Sequence, residues 1–418
     1  MVQRTILENG VRLVSEEVPG IPSVTVGIWV ENGSRDEAPE ENGIAHFLEH
    51  LFFKGTERRT AAEIAEEIDA VGGVLDAFTS KEYTCYYAKV LSEHLPLALD
   101  LLTDVFLHSR FDEAEIERER SVICQEIAQV EDTPDDLIHD LFHLDYWRGH
   151  SLSRPISGTA AAVSRFQRTD FLRYLDRRYR PDRIIVAMAG GARHEEIIDR
   201  LGPDLSRLSG KAGIAPSEPP LVHAGVYPHR RALEQTHLCL GVPCVSVEDP
   251  AWYAAYLLHT ALGGGMSARL FQEIRERRGL VYDVTSFLST YRDTGYLGVY
   301  AATSTEWVPQ VLELACTILR DVARDGISAD ELRRAKGHAK GGLLLGLETS
   351  EARMNRLARC EIYFRRDIPI PEVADEIERV TLDDVQALAA RCFNGEGQAL
   401  TLLGEVPRKV DYEALIGL

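Results

Sequence analysis

The sequence has no surplus of positive charge: 46 lysines and arginines stand against 66 aspartates and glutamates, a formal net charge of -20. A nucleic-acid binder needs a basic footprint to displace counterions from phosphates, so that class is excluded. The acidic balance is ordinary solubility chemistry, and it is also compatible with a cavity that attracts basic peptides. No stretch approaches the ~18 consecutive apolar residues of a membrane helix. The opening residues, MVQRTILENGVRLVSEEVPG, lack the apolar core and cleavage pattern of a signal peptide. The seven cysteines (Cys85, Cys124, Cys239, Cys244, Cys316, Cys360 and Cys392) are odd in number and include no C-x-x-C pair. That excludes a disulfide framework and points to free thiols in a reducing compartment. A cytoplasmic protein without nucleic-acid or membrane partners is the resulting expectation. The run Gly263-Gly264-Gly265 is not followed by Lys-Ser or Lys-Thr, so it is not a phosphate loop.

What remains is a chain of 418 residues, 45% hydrophobic and 27% charged, long enough for two or three domains with a sizeable core. Helical and strand patterns alternate along it. Ser23–Val30 (SVTVGIWV) and 83–90 (YTCYYAKV) read as strands. Helices are expected at 60–70, opened by a Thr60/Glu63 capping box, at 98–107 and at 112–130.

Comparison of the chain with itself is more informative. YYAKVLSEHLPLALDLL aligns with VYAATSTEWVPQVLELA, so that Tyr87 pairs with Tyr300, Ala88 with Ala301, Glu93 with Glu306 and Pro96 with Pro309, each 213 residues apart. TDFLRYLDRRYRPDRIIVAMAGG and LDDVQALAARCFNGEGQALTLLGE repeat a helix–turn–strand unit at nearly the same displacement. Several matches in one register indicate a tandem duplication. A segment rich in Gly, Pro and Ser (GPDLSRLSGKAGIAPSEPP) separates the copies. The expected division is therefore 1–201, a linker at 202–220, and 221–418.

The chemistry-bearing motif is His46-Phe47-Leu48-Glu49-His50. Residues i and i+4 of a helix share a face, so two imidazoles converge on one point with Glu49 beside them. Neutral imidazoles suit Zn²⁺, and a catalytic zinc takes three protein ligands and keeps a position for water. A neighbouring glutamate is placed to take a proton from that water and return it to the leaving amine. The same histidine spacing at His139 and His143 lacks a glutamate before the second histidine and reads as an ordinary helix face. For the third ligand the candidates are Glu119 and Glu126, two turns apart on one helix face; one would bind metal and the other support it. In the second copy His259 stands opposite His46, but Leu262, Gly263, Ala335 and Gly342 stand opposite or near Glu49, His50, Glu119 and Glu126. Residues present in only one copy are not needed to maintain the fold, which favours a functional role.

These motifs, HFLEHLFFKGT, GGVLDAFTSKEYTCYYAKV, IERERSVICQEI with VEDTPDD, and LGGGMSARLFQEIRERRGLVYDV, resemble those of the pitrilysin and mitochondrial processing peptidase family of H-x-x-E-H zinc peptidases over nearly the whole length. The resemblance implies an α+β fold of two homologous domains, each a mixed, largely antiparallel sheet packed with helices, together forming half of a clamshell. It implies a zinc endopeptidase acting on extended, unfolded or presequence-like peptides, with zinc on His46, His50 and Glu126, Glu49 as general base, and Glu119 behind the ligands. Arg275 and Tyr282 match an arginine and a tyrosine that the family brings to the substrate from the second domain. Residues Gly73, Val74, Leu75, Asp76, Ala77 and Phe78 match its substrate-pairing edge strand, with Asp76 where the family usually has asparagine. A homodimer is implied; a heterodimer with a metal-free sister chain, in which this chain is a non-catalytic or partner-dependent subunit, is the alternative. Histidine and carboxylate ligands also accept manganese.

Overall fold

The computed structural model describes residues 2–210 and 218–417. Its strands are β1 (Val2–Ile6), β2 (Arg12–Glu17), β3 (Ser23–Val30), β4 (Val74–Thr79), β5 (Thr84–Leu91), β6 (Ile184–Gly190), β7 (Gly225–Arg230), β8 (Thr236–Pro243), β9 (Val284–Thr290), β10 (Gly295–Thr303) and β11 (Ala399–Gly404). They form a six-stranded sheet in the order β1-β2-β6-β3-β5-β4 and a five-stranded sheet in the order β7-β11-β8-β10-β9. In each sheet one pair is parallel, β2 with β6 and β7 with β11, and the others are antiparallel. Without β1, the two sheets have the same strand order and the same directions. The repeat read from the sequence is thus a repeat of topology.

The apolar run of β3 follows from burial on both faces. Val24, Val26, Ile28 and Val30 join a core with α1 (Ile44–Leu51), α3 (Leu95–His108) and α4 (Glu113–Glu131), while Trp29 faces the other way. Between α1 and α3 lies α2 (Ala61–Asp69), capped by Thr60 and Glu63 as the sequence predicts. The helix after α4 is α5 (Pro134–Tyr146).

The two compact units are not the two halves of the chain. One comprises Met1–Gln129, Arg154–Ser217 and Gly346–Asp367; the other comprises Val130–Ser153, Glu218–Leu345 and Ile368–Leu418. Each half lends one helix to the other unit. The helix Ser350–Phe364 covers the Trp29 face of the first sheet through Met354, Leu357, Ala358 and Ile362. In the second unit α5 covers Cys239, Tyr296, Ala399 and Leu403 through Leu137, Ile138, Phe142 and Tyr146. Both lent helices land on glycine: a Cβ on Gly27 would lie 2.8 Å from Met354 Sδ, and one on Gly241 would lie 2.2 Å from Phe142 Cζ. The contiguous division 1–201 and 221–418 therefore describes the two sheets but not the two units. Of the expected linker, 202–205 belong to the helix His194–Leu205, and 211–217 lie outside the described residues.

Polar contacts fix the lent helix in the first unit. Glu361, 2% exposed, receives Arg4 at 2.9 and 2.8 Å and Arg12 at 3.5 Å, and Arg12 and Arg365 both pair with Glu31. Ser350 meets Thr25 at 2.8 Å, and the Tyr363 hydroxyl donates to Glu82 at 2.9 Å. Removing one partner from a buried ionic group leaves uncompensated charge, so Glu361→Ala is expected to destabilise the first unit by about 3 kcal/mol, read from the shift of its urea transition.

Candidate metal centre

α1 turns its apolar side, Ile44, Ala45, Phe47, Leu48 and Leu51, into the first unit's core, where the Phe47 ring lies 4.9 Å from that of Phe171. The 3.6-residue period leaves His46, Glu49 and His50 on the opposite side. α4 packs Ile116, Ile123 and Ile127 into the same core, which turns Glu119 and Glu126 toward α1.

His46, His50 and Glu126 bring their ligand atoms within 4.8 Å of one another, the group of three metal-capable side chains found among the described residues. Glu126 Oε2 is 3.8 Å from His46 Nε2 and 3.6 Å from His50 Nε2. Ligands bound tetrahedrally to zinc sit about 3.3 Å apart, so the spacing suits a small divalent cation. Burial, and then the neighbouring His50, push the His46 ring down to about 4, so it is neutral near pH 7 with a lone pair to give. Glu119 completes the arrangement from behind: its Oε2 accepts from His50 Nδ1 at 3.1 Å, leaving Nε2 as the lone-pair nitrogen facing Glu126. Its other oxygen meets Lys54 Nζ at 2.8 Å.

Burial holds the Glu49 carboxyl above the usual glutamate range; Thr79 and His50 act against the shift, Asp76 and Glu126 with it. Glu49 Oε2 and Thr79 Oγ1 are both buried, and Thr79 is the hydroxyl close enough to favour the ionised carboxyl. A carboxylate with one buried oxygen, on the helix that carries His46 and His50, has the chemistry of a proton acceptor for a third molecule. Sequence reading passed over Lys54 and Thr79. Lys54 carried a signal, since it falls at i+4 from His50; Thr79 reaches Glu49 only through the fold.

β4 is the edge strand of the first sheet and runs from Val74 to Thr79, so Gly73 precedes it. A Cβ at Gly73 would lie 2.6 Å from Ile68 Cδ1, so its glycine serves packing against α2. The exposed Asp76 carboxylate accepts from the Ala77 backbone N–H at 2.8 Å and from the Tyr87 hydroxyl at 3.5 Å. Arg275 and Tyr282 lie in the second unit, outside the set of residues the first unit assembles. There the Arg275 guanidinium lies 4.7 Å from the ring centre of Phe271 and 5.2 Å from that of Tyr282, and Tyr282 is 80% exposed. His139 packs against Phe287 and Tyr300, and His143 meets the Tyr296 hydroxyl at 2.9 Å, as expected of an ordinary helix face.

The counterpart of α1 in the second copy is the helix Trp252–Gly263. Its His259 is held by Ser286 Oγ, 3.0 Å from Nδ1, and burial, then His338, push the ring down to about 4. The fold thus favours the neutral ring. Its stabilising contribution is complete above about pH 6.5 and is lost as pH falls toward 4, because the unfolded chain takes up the proton first. His259→Asn is expected to flatten the decline in the apoprotein's urea midpoint over that interval. In the first copy, His50→Ala should abolish zinc binding, and Glu119→Gln should weaken it roughly 10–100-fold in chelator competition.

Residues 12–160 match the family model described as Insulinase (Peptidase family M16), and residues 165–337 match the Peptidase M16 inactive domain. An uncharacterized zinc protease of Bacillus subtilis is 41% identical over 407 residues, covering 96% of this chain and 98% of its own. An uncharacterized zinc protease of Mycobacterium leprae is 43% identical over 404 residues, covering 94% of this chain and 89% of its own. Among solved structures, a peptidase M16 inactive domain from Pseudomonas fluorescens superposes with a TM-score of 0.89 at 19% identity, covering 98% of this chain and 99% of its own. A protease from Helicobacter pylori superposes with a TM-score of 0.88 at 20% identity, covering 97% and 99%. At those identities the superpositions speak for the fold alone. No helix among the described residues is long and apolar enough to cross a membrane.

Proposed function

The chain belongs to the insulinase family of peptidases, M16, and from that premise we propose that it is a zinc-dependent endopeptidase cutting extended, unfolded or presequence-like peptides. The observation that carries the proposal is the convergence of His46, His50 and Glu126 with Glu49 on the same helix face. A zinc ion, when bound, polarises the scissile carbonyl and lowers the pKa of water to roughly 7. His46 and His50 supply neutral nitrogens and Glu126 a carboxylate oxygen, while Glu119 keeps the His50 ring in the tautomer that presents Nε2. Glu49 takes the proton of the attacking water on its carboxylate and passes it to the departing amine, a task suited by its raised affinity for protons.

β4 supports the choice of substrate class. An edge strand offers backbone donors and acceptors to an extended peptide whatever its side chains, which suits broad acceptance of unfolded segments. Ionised Asp76 only accepts hydrogen bonds, so it gives the substrate strand a negative flank where an amide would also donate. Arg275 and Tyr282 enter the proposal on the family resemblance, as donors to the substrate. Location in the cytoplasm and a homodimeric assembly belong to the proposal on the same footing. The reading as a non-catalytic subunit is disfavoured by the intact metal-capable set.

Metal analysis paired with peptide cleavage tests the function. Glu49→Gln is expected to retain its zinc while cleavage falls ~10²–10⁴-fold. Full cleavage by that variant would exclude Glu49 as the base, and an inactive, metal-loaded wild type would exclude the peptidase.

A further inference from the structure

α1 is short and has no cap of its own. It starts at Ile44 behind Gly43, which has no side chain to offer and sits in the left-handed region at φ 96°. The first N–H groups of a helix need acceptors, and α2 shows the usual solution, with Thr60 accepting from Glu63 N–H. In α1 the acceptor comes from outside the helix. Glu37, 4% exposed, accepts from Ala45 N–H through Oε1 at 2.9 Å and from Gly43 N–H through Oε2 at 2.9 Å. Oε2 also accepts from Asn42 Nδ2 at 3.2 Å, and the same Asn42 nitrogen donates to the Pro155 carbonyl at 3.0 Å. The Arg154 guanidinium donates to the backbone carbonyl of Glu37. Opposite, the chain at 157–158 presses so closely that a Cβ on Gly43 would lie 2.7 Å from Ser157 O, and one on Gly158 would lie 2.5 Å from Asn42 O.

We propose that Glu37 is a positioning residue for the metal centre: its carboxylate, clamped on the N–H groups of Gly43 and Ala45, fixes the first turn of α1 and thereby where His46 and His50 present their nitrogens. This rests on the metal-binding reading above. His46 is the third residue of the helix, inside the turn that frays when its N–H groups lose their acceptor. His50 stands one turn further on and is held independently by Glu119. Loss of the clamp therefore separates one ligand from the other two instead of shifting the set together. Burial pushes the Glu37 carboxyl up to about 7, and the Ala45 and Gly43 N–H groups, like the helix dipole, favour its ionised form.

The test compares Glu37→Gln with Thr60→Ala in the full-length chain. Thr60→Ala removes a cap from a helix that carries no ligand. For each, the zinc dissociation constant is measured by chelator competition and the unfolding midpoint is measured on the apoprotein. Glu37→Gln puts an amide nitrogen against one of the two N–H donors, and zinc binding is expected to weaken at least tenfold. Thr60→Ala should lower the apo midpoint and leave zinc affinity within twofold of wild type. Glu37→Asp keeps the charge but withdraws it by one methylene; it serves if the glutamine variant does not fold, with the same tenfold expectation. A folded Glu37 variant binding zinc within twofold of wild type overturns the inference, as does equal weakening by Thr60→Ala. A wild-type chain that binds no zinc overturns the metal centre itself, a separate outcome.

Discussion

Two imidazoles on one helix share a direction by helical geometry alone, but a carboxylate from a second helix reaches them only if the helix separation is held to within about an ångström. That separation is set by apolar packing. Phe47 and Leu51 of α1 and Ile123 and Ile127 of α4 lie in one core, so the polar groups that flank this layer are spaced by close-packed side chains of fixed volume. The spacing of the metal-capable set is therefore built by residues outside it. A change of one methylene in this layer would alter the distance between Glu126 and the two rings as surely as a change in the ligands.

The duplication shows how little of this architecture the chemistry requires. The two sheets repeat strand order and direction, and the helix Trp252–Gly263 repeats α1, yet the second copy has leucine and glycine where the first has Glu49 and His50. His259 survives there as a neutral ring bonded to Ser286. The frame tolerates either state. In the copy that keeps the polar set, half-buried ionisable groups are maintained at some cost in desolvation, which the raised proton affinity of Glu49 makes visible.

Much of this was legible in the sequence where the determinants are local. The β3 strand, the capping box of α2 and the span of α4 follow from alternation, a Thr–x–x–Glu pattern and helical spacing, and the structure has them within a residue or so of the expected limits. The duplication was legible because it preserves pairs such as Tyr87 and Tyr300 in register. The exchange of helices was not. α5 and the helix Ser350–Phe364 are amphipathic in the ordinary way, and nothing in an amphipathic pattern says which of two similar sheets it will cover. The same limit applied to the site. His46, Glu49 and His50 announce themselves within five residues, whereas spacing alone narrowed the third position to Glu119 and Glu126 without choosing between them.

The exchanged helices also govern the order in which the protein can mature. When the ribosome has finished β6, the first sheet has all its strands, but the face carrying Trp29, Ile185 and Ala187 is still bare, because its cover ends only at Phe364. Vectorial synthesis therefore leaves a sticky nascent intermediate that already carries His46, His50 and Glu126, and neither half released alone would hide its own sheet. Quality control of this chain falls late: the step that seals the sheet beside His46, His50 and Glu126 is made by residues from the other half of the sequence.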